Sequence, residues 1–310
     1  MYSYTIKRLF QGVITIWFIA TATFVAMHSV PGDPLINERG VNEEIRKNLE
    51  ERYGLDRPVF EQYLIYMGNM ARGDFGISFT QQNRSVNDII REHFPVSAAL
   101  GILAIVFAGI GGVLWGALTA LYRNRLPDVI IMFLVILGIS VPSFVIAALG
   151  QLALVSLNGF VGFSILPVAG WGTVLHMLVP SLVLGLSTMA FLTRLMRSSM
   201  LEIINADFVR TAYSKGLPPT RVFMKHQLRN AILPVITVLG PAIAAITTGG
   251  FVVELVFAIP GLGRFFVQAV QQLDYTVIMG TTVFYGAFLV FMVIAVDLVY
   301  GFVDPRVRVE

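Results

Sequence analysis

Residues 201–234, LEIINADFVRTAYSKGLPPTRVFMKHQLRNAILP, are polar, basic and helix-forming, and they separate two long apolar runs. Arg194, Arg197, Arg210, Lys215, Arg221, Lys225 and Arg229 crowd this stretch and its approach, against only Glu202 and Asp207. The positive-inside rule places such a segment in the cytoplasm. Asn205 or Asp207 can cap a short helix there, and Phe208, Thr211, Ala212 and Lys215 follow at helical spacing. Gly216 supplies a left-handed exit turn, and Pro218 with Pro219 stops the helix. A short amphipathic helix, ended sharply, is therefore expected between two membrane crossings. Such a segment is a place where a membrane protein can meet a soluble partner. Ala212 would let a partner approach closely, and Arg210 with Lys215 offers charge.

The rest of the chain fits that setting. Of 310 residues, 56% are hydrophobic and 13% charged, and the mean hydropathy is +0.75, which excludes an ordinary soluble domain. The net charge of +3 does not point to nucleic acid, because the cations cluster at the ends of apolar runs, where lipid and topology account for them. There is no cysteine, so disulfides, thiolate metal sites and a cysteine nucleophile are excluded. Lys7 and Arg8 precede an apolar stretch too long for a signal-peptide core, and no small-x-small site precedes Pro31. The stretch is expected to remain as a spanning helix.

Apolar stretches of roughly 20 residues predict six spans, at about 9–30, 97–121, 129–156, 173–193, 232–256 and 278–301. Both termini then share one side. With that side inside, the short inner segments hold Lys7, Arg8, Arg123, Arg125, the basic residues above, Arg306 and Arg308, and the short outer segments hold only Arg264. The chain divides into a first span (1–30), an extracytoplasmic segment (31–96), a five-helix core (97–301) with the cytoplasmic loop 194–231 inside it, and a cytoplasmic tail (302–310). The segment 31–96 carries two helical patterns, around Ile45, Leu49 and Tyr53 and over Val59, Phe60, Tyr63, Leu64, Met67 and Met70, with a turn at Gly54 and Pro58 between them.

Gly109, Gly111, Gly112, Gly116 and Gly138 are expected to let helices pack closely in lipid. Pro142 is expected to kink the third span, with the freed carbonyl available to a water-filled path. The fifth span, with Pro234, Pro241, Thr247, Thr248, Gly249 and Gly250, should be interrupted rather than straight. Glu254 near its outer end is an ionisable group at membrane depth and thus a functional candidate, either for a cationic ligand or for a structural ion pair with Arg264. Phe265, Phe266, Ala269, Val270 and Leu273 form an amphipathic pattern suited to the outer interface.

Asp207-Phe208-Val209-Arg210-Thr211-Ala212 with Lys215-Gly216-Leu217, His226, Leu228-Arg229-Asn230-Ala231 and Leu233-Pro234 resembles the coupling-loop signature of the dipeptide and oligopeptide permease family, membrane subunits of ATP-driven importers. So do Pro31-Gly32-Asp33-Pro34, Gly73-Asp74-Phe75-Gly76 with Ser78, Phe94-Pro95-Val96-Ser97, Glu254-x-x-Phe257-x-x-Pro260-Gly261-Leu262-Gly263, and Asp304-Pro305-Arg306. The general importer signature has Glu-Ala-Ala where this chain has Arg210-Thr211-Ala212, a departure usual for the peptide branch. The resemblance implies an all-α, six-span fold of the MetI-like importer type with an extracytoplasmic helical insertion. It implies that Asp207, Phe208, Arg210, Thr211, Ala212, Lys215, Gly216, Leu217 and His226 couple to an ATPase. It implies that Glu254, Pro142, Thr247 and Thr248 border a translocation path. The partners it implies are a second permease, two cytoplasmic ATPases carrying ATP and magnesium, and an external binding protein delivering peptide. The setting is a bacterial cell membrane. Nickel, glutathione and some sugar systems belong to the same family.

This chain has no Gly-x-x-x-x-Gly-Lys-Ser/Thr phosphate loop of its own, so uphill transport would draw on a partner's ATP. His28, His93, His176 and His226 show no metal-ligand spacing. A self-sufficient channel and an intramembrane protease are the readings from other classes. The protease would have to use Ser187 or Ser198 with His176, without a nucleophile-elbow pattern.

Overall fold

The computed structural model describes residues 2–29, 51, 54–81 and 84–303. The expectations for residues 31–34, for the helical pattern at Ile45 and Leu49 and for residues 304–306 lie outside it, as do the side chains of Thr248 and Asp297. The described chain is helical throughout, apart from an isolated antiparallel bridge between Ile77 and Ser85. The helices are α1 (Tyr2–Ser29), α2 (Val59–Ala71), α3 (Val86–Leu121), α4 (Leu126–Ser140), α5 (Ser143–Val161), α6 (Val174–Ile204), α7 (Asp207–Ser214), α8 (Pro219–Ala231), α9 (Leu233–Gly249), α10 (Phe251–Val256), α11 (Leu262–Gln272) and α12 (Tyr275–Val303).

Among the described residues, five helices are long and apolar enough to cross a membrane: Ile6–Ser29, Val86–Leu121, Ser143–Val161, Val174–Ile204 and Tyr275–Ala295. A sixth crossing results if α8 and α9, bent by 47° at Ile232, count as one span. The third expected span, 129–156, is corrected: it is two helices. Val141 is extended (φ −89°, ψ 126°) and Pro142 caps α5 (φ −58°, ψ 139°). The ring that removes an N–H and crowds the preceding turn here ends one helix and starts another, where a kink was expected. The fifth span is interrupted as expected, with α9 ending at Gly249 and α10 starting after Gly250.

The chain forms two compact units. The first comprises Met1–Ser97 and Pro260–Ala295, and three of the sequence motifs are its joints. Gly76, in the left-handed region (φ +85°), has no room for a side chain, since a Cβ would lie 2.8 Å from Thr276 Cγ2. The loop that follows it wraps the Asp274 carboxylate. Oδ2 accepts from the Ser78 hydroxyl, from Thr80 N at 3.1 Å and from Thr80 Oγ1 at 2.9 Å, and Oδ1 accepts from Phe79 N and Val277 N at 3.2 Å. Asp274 thereby also caps the start of α12. At the next motif, Leu262 N donates to Ser97 Oγ at 2.9 Å, and His93 Nδ1 lies 2.8 Å from the Pro260 carbonyl. The Phe265 ring of α11 packs against His93 at a tilt of 31°, with the Arg84 guanidinium over it.

The second unit comprises Ala98–Ile259 and Val296–Glu310, and α6 is its axis. Leu192, Met196 and Met200 of α6 form a buried core with Ala108, Ala117 and Ala120 of α3 and with Ala231 and Val235. The α3 glycines act as expected in close packing. A Cβ at Gly112 would lie 2.5 Å from Leu192 Cβ, and one at Gly116 would lie 2.5 Å from Met196 Cβ. Packing of this kind holds helices together in lipid, where burial away from water supplies no force between them.

Candidate functional site

The candidate coupling surface grows from the end of α6. Two turns before that end, Arg197 forms a bidentate pair with Asp128 at the start of α4, Nε to Oδ1 at 2.9 Å and Nη2 to Oδ2 at 2.8 Å. Asn124, in the left-handed region (φ 61°), donates its N–H to Oδ2 at 3.0 Å. Asp128 is only 4% exposed. Arg197, grouped in the sequence with the cations that set topology, is instead committed to a buried carboxylate.

Asn205 and Ala206 then turn the chain into α7. Ala206 is its N-cap residue, and Asp207 opens the first turn without capping, where its charge still favours the positive end of the helix. The exit is as expected. Lys215 closes α7, Gly216 sits at φ +74°, its N–H bonds Tyr213 O at 2.9 Å, and Leu217 N reaches Ala212 O at 3.3 Å. This is the paired-bond glycine stop of a Schellman motif. Leu217 completes it by packing on Val209, Ala212 and Val222.

That cluster changes the role of Ala212. It is 5% exposed and faces Val209 and Val222 of its own chain, so it is not the close-approach point for a partner that its small size had predicted. On either side of the buried stripe, Phe208 (43% exposed) and Tyr213 (46%) present aromatic surface. Sequence reasoning missed Tyr213, although an aromatic residue four positions after Val209 on so short a helix was the available signal. Asp207, Arg210, Thr211, Lys215 and Gly216 are exposed beside them. The Arg210–Asp207 contact, 3.8 Å between groups open to solvent, contributes little stability and leaves both charges available. His226 is half-buried on the π-helical turn Phe223–Leu228 of α8, beyond the α7 face. A local widening of this sort is frequent at functional positions.

The described residues expected along a translocation path differ in exposure. Pro142 is exposed at the α4–α5 break, Glu254 is 2% exposed and Thr247 4% exposed. Thr247 donates to Ile243 O at 2.6 Å. The same unit holds a cavity of about 680 Å³ between α3, α4, α5 and α6, lined by Trp115, Val135, Leu149, Leu186, Met189 and Thr193 among others. Its wall is almost wholly apolar, so it offers a peptide backbone no partners for its amides. Ser187 and Ser198 share a helix with His176, and Ser187, the nearer, lies eleven residues away, about 16 Å along the axis. His176 Nδ1 is 2.9 Å from Thr173 Oγ1 in the helix cap. No nucleophile and base meet there.

Residues 112–309 match the family described as binding-protein-dependent transport system inner membrane component, and residues 1–101 match its N-terminal membrane component. The chain belongs to this family. It is 47% identical to the dipeptide transport system permease protein DppB of Bacillus subtilis, over 100% of this chain and 99% of that protein. It is 39% identical to the oligopeptide transport system permease protein OppB of Haemophilus influenzae and 36% identical to that of Escherichia coli, each over 99% of this chain and 100% of the relative. The family resemblance drawn from the motifs thus holds along the whole length. As a binding-protein-dependent transport component the chain is a membrane-embedded permease subunit of an ABC system, a multi-pass protein of the inner membrane. Nothing in the comparisons favours the channel or protease readings.

Proposed function

We propose that this chain is the permease subunit of an ATP-driven importer for dipeptides or oligopeptides. The observation that carries the reading is full-length similarity to a dipeptide permease at 47% identity, joined to a short exposed helix rooted rigidly in the membrane helices. Its partners are a second permease, two cytoplasmic ATPases that bind ATP and magnesium, and an external peptide-binding protein. Both termini and α7 lie in the cytoplasm, as the distribution of Lys and Arg supports. Phe208 and Tyr213 enter the ATPase groove, and Asp207, Arg210, Thr211 and Lys215 line its polar rim. ATPase closure moves α7, and α6, held to α3 and α4, moves with it, so that the site alternates between the two sides. Cargo contact in the path is weak, and Glu254 becomes available to a peptide ammonium only as the helices around it separate. Gentle purification of the tagged chain tests this directly. Recovery of a second permease and phosphate-loop ATPases, with ATP-dependent peptide uptake once the binding protein is added to vesicles, is the expected result. Uptake that nickel, glutathione or sugar supports and peptide does not would reassign the cargo.

Gly216→Val isolates the coupling step. No atom lies within 4 Å of a Cβ built there, so the penalty is conformational: a β-branched residue resists the left-handed region by about 1–2 kcal/mol. The last turn of α7 then shifts, and Leu217 leaves the Val209 cluster. The variant should stay in the membrane and permit ATP hydrolysis while peptide uptake falls, and Gly216→Asn should retain more uptake. Undiminished uptake in the valine variant refutes the coupling role of α7. Glu254→Gln should alter uptake of cationic peptides relative to anionic ones without loss of assembly. Equal transport of both would make Glu254 structural.

A further inference from the structure

Helix α2 follows the segment after α1, and its contacts fix the depth at which it lies. Tyr63 Oη is 2.9 Å from Thr21 Oγ1, the Tyr63 and Tyr66 rings pack on Phe24, and Gln62 Oε1 lies 3.1 Å from His28 Nε2. All three α1 partners belong to the apolar run Ile6–Ser29. Thr21 is eight residues before Ser29, so the Tyr63 hydroxyl reaches about 12 Å down the axis from the end of the span. The side of α2 turned toward α1 therefore carries Gln62, Tyr63 and Tyr66.

The adjoining side is a second stripe with helical spacing: Phe60, Leu64, Met67 and Ala71. Phe60 is 72% exposed and Leu64 54%, and no residue of α2 is buried. The polar flank starts at Glu61, which pairs with Arg57 at 3.0 Å, both groups open to solvent. An apolar stripe at this level has few environments. Exposed apolar side chains stand on α1 as well, Phe18 at 64% and Val25 at 56%.

We propose that α2 is an interfacial helix that seats the Phe60, Leu64, Met67 and Ala71 stripe among acyl chains, in the leaflet reached by the Ser29 end of α1. Its Glu61 flank points to water. The helix then braces α1 against tilting at the membrane boundary, and its occupant is lipid, with neither a binding protein nor another permease on that face. This placement requires α1 to span the membrane and is indifferent to the cargo, so it stands or falls separately from the peptide-import reading.

The absence of cysteine from the chain makes the test direct. Single substitutions Phe60→Cys, Glu61→Cys and Leu64→Cys are spin-labelled on the purified chain, which is then assembled with its partner subunits and reconstituted in phosphatidylethanolamine and phosphatidylglycerol vesicles. Relaxation by oxygen, which partitions into hydrocarbon, is compared with relaxation by a water-soluble nickel chelate. Oxygen should dominate at positions 60 and 64 and nickel at 61, and the spectra at 60 and 64 should not change when binding protein is added. Nickel-dominated relaxation at 60 and 64 would place the stripe in water and overturn the proposal. Immobilisation of either label by binding protein, or in the assembled transporter relative to the isolated chain, would show a protein interface and overturn it equally. Should Phe60→Cys fail to accumulate, Leu64→Cys and Met67→Cys read the same face.

Discussion

Arg197→Ala should destabilise the chain by about 3 kcal/mol, the low end for breaking a buried ion pair, because Arg197 itself keeps 24% of its side chain exposed while Asp128 keeps 5%. The loss comes less from the missing attraction than from what remains. The Asp128 carboxylate, held by Asn124 N at 3.0 Å, would lose its paired guanidinium and keep only the more distant charge of Arg123. Asp128→Ala should be comparably harmful for the mirror reason. The double variant Asp128→Leu with Arg197→Met should be milder than either single change, since apolar groups of similar size remove both charges and leave neither orphaned. Thermal unfolding midpoints in detergent for the four proteins make the cycle. Additive losses in the double variant would show that the two residues act independently and that the pair is incidental. A functional consequence follows under the importer reading. Only Asn205 and Ala206 separate α6 from α7, so a loosened α6 root should lower peptide uptake more steeply than ATP hydrolysis.

Much of this surface was legible before the structure, for physical reasons that differ residue by residue. The stop of α7 at Gly216 is local chemistry, written in a glycine followed by two prolines, and it is found where the sequence places it. Membrane crossings are also local, since each needs only a long apolar run. The break at Pro142 was half legible: a proline inside an apolar run announces a disturbance, but whether the helix bends or stops depends on Val141 becoming extended, which neighbours in space decide. Ala212 shows the opposite failure. Its small size is equally compatible with an incoming partner and with the chain's own Val209 and Val222, and no pattern on a two-turn helix separates the two. The Asp128–Arg197 pair was out of reach altogether, since nothing in a single sequence links positions 69 apart. The same holds for the joints of the first unit. Gly76 and Ser78 could be seen as motif residues, but not that their loop closes on Asp274.

Asp274→Ala should be the most damaging single change in the first unit, because one fully buried carboxylate satisfies donors from two distant parts of the chain. Ser78 and Asp274 are both 0% exposed. Removal of the acceptor strands the Val277 N–H, which is buried, and takes the partner from the half-buried N–H groups of Phe79 and Thr80; a donor stranded away from water carries a penalty of about 1–3 kcal/mol. The Val277 bond is also the N-cap of α12, so the cap is lost with it and adds no separate penalty. The hydroxyls of Ser78 and Thr80 are less affected, because they can rotate toward other acceptors. A loss of at least about 3 kcal/mol is expected, enough to reduce the amount of folded protein in the membrane several-fold. Asp274→Asn separates geometry from acceptor count. With its amide oxygen in the Oδ1 position it keeps Phe79 and Val277 but turns an NH2 group against Thr80 N–H, which has no alternative. With the amide flipped it keeps Thr80 and loses the other two. The asparagine variant should therefore fall between wild type and alanine, and Ser78→Ala, which removes one rotatable donor, should be the mildest of the three. Folded yield and unfolding midpoint rank them. If asparagine proves as stable as aspartate, the joint is held by shape rather than by the carboxylate's double acceptance, and the loop from Gly73 to Ser85 must be fixed to α12 by packing alone.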